Sequence, residues 1–423
     1  MRRNSFIIML LCFVCLQRAN TQNKTRTLEH IRAAAVAHYP ANRQKALYRD
    51  ALEVSNRLLH NNLFPQLTVT GQATYQSEVT SFELPGSTFD LPHQTPDQYR
   101  IGLEARYNLT DFAALHTQQR IQEQATQTQI LQADVSIQRL KEQIGDLYAN
   151  VLLLQQNKQI LQVRIADIDA RLKIVESAVR NGTSLRSNLL VLQSDQLSTQ
   201  QRIDEIDSQL MTLMGSLQVL TGQPIDTSYR FELPKSEPAG SNLTINRPET
   251  QVFAARRQTF DLQSELLQRR NLPQVFVFAQ GNYGRPGYNF LNNDFRLYGI
   301  AGVGLNWNLN NLLNQNSNLE MMRINALQVT EEEHIFNDQL QLTIIRQQNE
   351  ATRYQTLMQR DSAIITNREA IVHAAASQLE NGAITSSDYL TELNALNTAR
   401  LNEALHQVQL MLARENLRTT LGQ

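Results

Sequence analysis

Cysteine is almost absent from this chain of 423 residues: the only two, Cys12 and Cys15, lie near its start. Both lie within an apolar run, Phe6 to Leu16, which follows the basic pair Arg2-Arg3. This order predicts a signal peptide over residues 1–21, with a buried N-terminal helix as the alternative. Without that segment the chain contains no cysteine, which excludes disulfides and cysteine-based metal sites.

Other features are scarce as well. Aromatic residues make up 6% of the chain, with one tryptophan, and the net charge of -1 gives no reason to expect nucleic acid as a partner. No further apolar run reaches the roughly 20 residues of a membrane-spanning helix. Phosphate-binding loops, nucleophile elbows and metalloprotease motifs are missing. We therefore expect no enzyme, no cofactor and no bound metal.

The histidines and one acidic run show no metal-ligand pattern. The eight histidines lack the spacing of metal ligands, and we expect them at the surface or at interfaces. Glu331, Glu332, Glu333 and His334 stand together in the sequence. We expect this run to be a solvated helix face.

Two Asn-Gly pairs interrupt helical patterns and mark the main organisation of the sequence. Asn181 and Gly182 precede a polar segment and a new helical pattern, and Asn381 and Gly382 do the same later in the chain. Glycine permits the positive φ that ends a helix. Shorter landmarks recur around each break in the same order: Phe64-Pro65-Gln66-Leu67 with Leu272-Pro273-Gln274-Val275, and Leu220-Thr221-Gly222 with Leu421-Gly422. The sequence therefore consists of two tandem repeats of one structural unit.

The repeat sets the predicted organisation. We expect a first structural repeat over 22–222, a linker rich in proline over 223–247, and a second repeat over 248–423. Each repeat has the order helix, two strands, long helix, turn, helix. The predicted helices span 28–61, 111–180 and 187–221 in the first repeat, and a helix before the strands, 312–380 and 386–421 in the second.

Strict period-two alternation predicts strands of about 65–76, 98–110, 273–283 and 297–309. Each is as long as a tilted membrane-spanning strand. In the first hairpin one face is apolar and the other polar, as in a barrel with lipid outside and water inside. A half-buried hairpin in a soluble sheet would show the same alternation. The second hairpin is less regular, because Phe276 and Phe278 stand on its otherwise polar face.

The long helical patterns are informative by their length. Seventy residues make roughly 105 Å of helix, too long for a globular domain. Residues of 130–179 follow a coiled-coil seam of apolar positions. In the second repeat the same seam contains Asp361 and Arg368. Four strands cannot close a membrane barrel, so several chains must share one, and three would supply twelve strands.

With these features the chain resembles the TolC family of bacterial outer-membrane efflux proteins. The resemblance rests on the double repeat, the proline-led strand starts, the turns at Gly182 and Gly382, and Leu220-Thr221-Gly222. It implies a homotrimer with four β-strands per chain in a shared 12-stranded barrel. Long α-helical coiled-coil hairpins would form a periplasmic tunnel, so the fold class is an α+β membrane protein.

The resemblance also implies partners and sites. A periplasmic adaptor and an inner-membrane transporter would join the duct, which would lie in outer-membrane lipid of a Gram-negative bacterium and extend into the periplasm. The adaptor would contact the turns. These are Asn181, Gly182 and Thr183, and Asn381, Gly382 and Ala383.

The entrance of such ducts is commonly ringed by aspartates. Asp388 stands at the first ring position, Thr391 at the second, and Asn188 at the matching place in the first repeat. Three copies of Asp388 would favour cations. Alternatively, or in addition, Asp388 satisfies the helix N-terminus. In some members of the family a basic residue forms a salt bridge that holds the entrance shut. The corresponding position here is Ile384, so we expect no such salt bridge.

Two functions follow from these patterns. The first is a passive exit duct of a tripartite efflux pump or a type I secretion system. The alternative is a secreted coiled-coil scaffold or tether with small soluble sheets, which would stay in solution without detergent.

Overall fold

The computed structural model describes residues 25–80, 94–234, 244–289 and 291–423. The predicted signal peptide and both cysteines lie outside them. The helices within these ranges are α1 (Leu28–His38), α2 (Ala41–Asn61), α3 (Asp111–Arg180), α4 (Arg186–Thr221), α5 (Pro248–Arg270), α6 (Leu309–Glu380) and α7 (Ser386–Thr420). The strands are β1 (Thr25–Arg26), β2 (Gln66–Tyr75), β3 (Asp97–Asn108), β4 (Arg230–Phe231), β5 (Gln274–Arg285) and β6 (Arg296–Asn306). Among the described helices, none combines the length and apolar character needed to cross a membrane.

The chain divides into two compact units, and each takes segments from both sequence repeats. The first comprises Met1–Arg43, Ala133–Pro248 and Ile335–Gln423, and the second Gln44–Gln132 and Glu249–His334. The sequence repeats are therefore not separate compact units. Their boundaries remain a prediction about how the sequence is organised.

The second unit contains a four-stranded antiparallel sheet with the order β2-β3-β5-β6. Val69 pairs with Leu103, Leu103 with Gly281 and Gly281 with Gly299, so odd-numbered residues of all four strands share a face. Exposed large apolar side chains on that face include Leu67, Val69, Ile101, Leu103, Val303 and Leu305. β2 and β6 are the edges of the sheet, and each pairs on one side only.

The opposite face of this sheet is mainly polar and internally hydrogen-bonded. Arg100 donates to Oε1 of Gln72 at 2.8 Å, and Gln280 donates to Oε2 of Glu104 at 2.8 Å. Cross-strand pairs of this kind stabilise neighbouring strands. The sheet therefore exposes apolar side chains on one face and satisfies polar ones on the other.

In the first unit, the seam residues of α3 form the core between helices. Ile144, Val151 and Ile168 have no exposed surface. These three residues belong to a seam whose successive positions are three or four residues apart, so they lie on one side of the helix. Burying each side chain stabilises the fold by about 1.5 to 3 kcal/mol.

Both charged residues on the seam of α6 have partners on α7. Asp361 is buried, and its Oδ2 lies 2.7 Å from Nδ1 of His406. Arg368 forms an ion pair with Glu392 at 3.1 Å. The side chain of His406 is partly buried, with 18% of its surface exposed. Both side chains are tolerated on the seam because each has a polar partner on α7.

The predicted linker contains a short strand. β4 pairs in parallel with β1, and the hydroxyl of Tyr148 on α3 lies between the two segments. It lies 2.6 Å from the carbonyl oxygen of Glu232 and 3.0 Å from that of Arg26. Tyr148 is fully buried, and burial raises the pKa of its hydroxyl. This hydroxyl satisfies backbone groups of two segments that would otherwise be loops.

In the second unit, α5 forms ion pairs with α6. Arg256 pairs with Glu332, and Arg257 pairs with Glu333. Glu332 stays 49% exposed and Glu333 is 24% exposed, so these two glutamates stand on a partly solvated helix face and also pair with the neighbouring helix.

Candidate functional site at the helix turns

The two Asn-Gly breaks fold into the same helix-ending turn. Gly182 has φ 73° and Gly382 has φ 70°, a conformation that side chains rarely adopt. In each turn the residue after the glycine donates its N–H to the carbonyl oxygen five residues earlier, at 2.8 Å. This closes the last turn of α3 and of α6. All six predicted adaptor-contact residues are exposed: Asn181, Gly182, Thr183, Asn381, Gly382 and Ala383.

Asp388 caps the helix that follows the second turn. Its Oδ2 accepts hydrogen bonds from the Thr385 hydroxyl at 2.7 Å and from the Thr385 backbone N–H at 3.0 Å. The N–H of Asp388 donates in return to Oγ1 of Thr385 at 3.2 Å, which completes a capping box. The Thr385 hydroxyl, and then its N–H, lower the pKa of Asp388. An exposed, ionised carboxylate therefore stands at this helix start.

The other two predicted entrance residues have different environments. Thr391 is exposed, and its hydroxyl donates to the carbonyl oxygen of Ser387 at 3.0 Å. Asn188 is half-buried, and its Oδ1 accepts a hydrogen bond from the N–H of Ser386 at 3.4 Å. The first-repeat counterpart of Asp388 thus touches the start of α7. It carries no charge of its own.

The two turns enclose a cleft of about 530 Å³ in the first unit. It brings together seven of the nine predicted site residues: Gly182, Thr183, Asn188, Asn381, Gly382, Ala383 and Asp388. Asn181 and Thr391 do not line it. Leu185 does, and it is 71% exposed. The cleft therefore combines backbone groups, the two carboxylates of Glu380 and Asp388, and an exposed apolar side chain, which suits contact with another protein chain.

An ion pair that sequence reasoning missed joins the two helical hairpins, α3–α4 and α6–α7. Arg171 of α3 pairs with Glu380 at the end of α6, and its guanidinium lies 5.9 Å from the ring centre of Tyr389 on α7. Tyr389 is 1% exposed, and burial raises the pKa of its hydroxyl, while Arg171 acts in the opposite direction. The two helical hairpins are therefore linked through residues that lie 209 positions apart in the sequence.

The surroundings of this link are apolar. Ile168, Leu192, Ala375 and Leu393, from four different helices, pack into one buried cluster that includes Tyr389. The described residues contain no group of three or more His, Cys, Asp or Glu that could hold a metal ion. The chemistry available at the turns is charge, hydrogen bonding and packing.

The chain combines two pairs of long helices with an antiparallel sheet that has two open edges and an exposed apolar face. These features define a class of protein: outer-membrane channel subunits that complete a barrel by association.

The comparisons with known proteins agree with that class. Residues 31–223 match the family model described as outer membrane efflux protein. No curated protein sequence matches the chain. Over the rest of the chain the similarity is one of fold.

Solved structures share this fold over nearly the whole chain. The outer-membrane channel OprN is 15% identical, with a TM-score of 0.70, covering 93% of this chain and 89% of its own. VceC of Vibrio cholerae is 16% identical, with a TM-score of 0.69 and coverages of 93% and 96%. The MtrE channel of Neisseria gonorrhoeae, in its open state, is 14% identical, with a TM-score of 0.69 and coverages of 93% and 88%.

Proposed function

We propose that this protein is the outer-membrane exit duct of a tripartite efflux pump. The observation that carries the proposal is the sheet of the second unit. Its apolar face exposes side chains such as Val69 and Val303, each 71% exposed. Lipid is the solvent in which such a face is stable. The protein lies in the outer membrane and extends into the periplasm.

The edges of the sheet support a trimer. Unpaired backbone groups on β2 and β6 would each cost several kcal/mol in lipid. Pairing β6 of one chain with β2 of the next removes both edges, and three chains give twelve strands. The long helices of the three chains then form the periplasmic tunnel.

An adaptor protein and an inner-membrane transporter complete the pump in this proposal. The exposed turns and the cleft between them support docking of the adaptor, because they present exposed polar residues beside the apolar Leu185. The transporter selects the cargo, and the duct lets it pass without chemical change. A type I secretion system would use the same arrangement.

Channel recording tests the proposal directly. The purified protein is added to a planar lipid bilayer, with heat-denatured protein as the control. We expect stepwise, stable conductance from the native protein only. Detergent-purified, folded protein that never conducts would contradict the duct and favour the scaffold.

We further propose that Asp388 forms an acidic ring at the duct entrance, and we expect Asp388→Asn to lower the cation preference several-fold. The ring attracts cations because three carboxylates face one axis. Asn188→Asp is the matched variant, since it adds a carboxylate at the corresponding position of the first repeat and should raise the preference. Reversal potentials in a salt gradient measure both. Unchanged selectivity in both variants would remove these residues from the entrance.

The pH dependence of this selectivity has a defined direction. Hydrogen bonds from Thr385 lower the pKa of Asp388, so its charge persists as the pH falls from 7 to 5. We expect cation preference to be constant over that range. It should be lost only below the ordinary aspartate pKa of about 3.9. A loss of preference that begins near pH 6 would show that another group sets it.

We propose that Arg171 holds the two hairpins together at the entrance. Arg171→Ala should therefore increase the conductance of single channels several-fold, because it removes the ion pair with Glu380 and the contact with Tyr389. Arg400→Ala is the control, since Arg400 pairs with Glu369 inside one hairpin. Equal conductance of the wild type and both variants would show that the link does not restrict the opening.

A further inference from the structure

Two phenylalanines interrupt the polar face of the sheet. Phe276 and Phe278 on β5 lie opposite Gly304 and Gly302 on β6, and their ring centres are 6.1 Å apart. A Cβ atom added at Gly304 would lie 2.3 Å from the ring of Phe276, and one at Gly302 would lie 3.1 Å from that of Phe278. The glycines therefore let both rings lie against the sheet. Covering glycines in this way accounts for the packing of the rings.

The packing does not account for the charge beside them. Arg106 on β3 is in register with Phe278, and its guanidinium lies 3.6 Å from the ring centre of Phe276. Arg100 and Glu104 on the same face are hydrogen-bonded to glutamines. Within the described residues, Arg106 has no carboxylate partner. The face thus carries an aromatic surface with an uncompensated positive charge on it.

We propose that Arg106, Phe276 and Phe278 form a contact site inside the barrel for planar aromatic anions. The proposal rests on the proposed function, because the polar face becomes the inner wall only when the sheet closes into a barrel. A planar aromatic ring can stack on the guanidinium or on the phenyl rings. Its carboxylate meets the charge of Arg106 at the same time. An aliphatic anion offers only the charge, and a neutral aromatic offers only the ring.

The wall around the site favours anions as well. The charged residues of β3 on this face are Arg100, Glu104 and Arg106, two cations and one anion. Threefold repetition places this excess of positive charge three times around the lumen, where charge selects the ions that pass. The site therefore acts at the end of the duct that contains the sheet.

Block of single-channel current by 2-naphthoate, hexanoate and 2-naphthol tests the site. We expect 2-naphthoate to block at about 3- to 10-fold lower concentration than either of the others, from one cation–π contact per bound ring. Arg106→Gln should abolish this difference, and Phe276→Leu and Phe278→Leu, made singly, should each reduce it. Arg100→Gln is the matched control, since it removes a positive charge from the same face away from the rings. It should retain the difference.

The outcomes separate the site from the duct. Conducting channels that do not distinguish 2-naphthoate from hexanoate overturn the site and leave the proposed function intact. Discrimination that survives in Arg106→Gln also overturns it. Folded protein without any conductance overturns the proposed function, and the site with it.

Discussion

Val69→Arg should remove the protein from the outer membrane as an assembled trimer. Val69 is 71% exposed on the apolar face of the sheet, close to the middle of β2. An arginine near the centre of a barrel strand on the lipid side costs about 2 to 4 kcal/mol. A trimer carries the substitution three times. The cost is then comparable with the stability of a whole domain, about 5 to 15 kcal/mol.

The neighbouring residue supplies the control for this substitution. Thr70 is exposed on the opposite face, where it pairs with Gly102. Thr70→Arg places the same side chain one position along the same strand, toward the lumen, and should leave assembly intact. The measurement is the amount of heat-modifiable trimer in the outer-membrane fraction. Equal amounts in both variants would contradict the assignment of the faces.

The second large effect is expected at a buried charge in the first unit. Glu415 is 1% exposed, and Arg32 donates to its Oε2 at 2.8 Å. Arg418, which is 45% exposed, reaches Oε1 at 3.4 Å. Replacing Arg32 by methionine leaves a buried carboxylate with only this weak partner. Removing one member of a buried pair costs about 3 to 5 kcal/mol, and Arg418 should hold the loss near 3 kcal/mol.

A second substitution should reverse most of this loss. Arg32→Met combined with Glu415→Leu removes the stranded charge and keeps the volume apolar, so the free energy of unfolding should recover. Arg400→Met serves as the control, because its ion pair with Glu369 is more exposed and should contribute less than about 1 kcal/mol. Urea unfolding followed by helical circular dichroism measures all three. A double variant as unstable as Arg32→Met would contradict this explanation.

The sheet and the long helices follow closely from local sequence patterns. The four strands lie within three residues of the predicted boundaries, since alternation changes the face of every side chain at each step. α3 covers 111–180 as predicted, because no proline interrupts the helical pattern before the break at Gly182. The fold class was accessible in this way, and so was the resemblance that implies a location in the outer membrane, because both depend on patterns repeated many times.

Long-range pairs were not accessible. β4 lies in the predicted linker, and nothing local indicates that two residues there pair with Thr25 and Arg26. Arg171 and Glu380 resemble any other charged residues on long helices until the fold brings them together. Asp361 and Arg368 looked like defects of the seam for the same reason. Their partners lie on another helix, at distances along the chain that no periodicity encodes.

The molar mass of the purified protein, with and without detergent, tests the central claim most directly. Light scattering that accounts for bound detergent measures it. The duct predicts a particle of three chains that needs detergent to stay in solution. A monomer or dimer that is stable without detergent would contradict the shared barrel and leave the secreted coiled-coil scaffold as the better explanation.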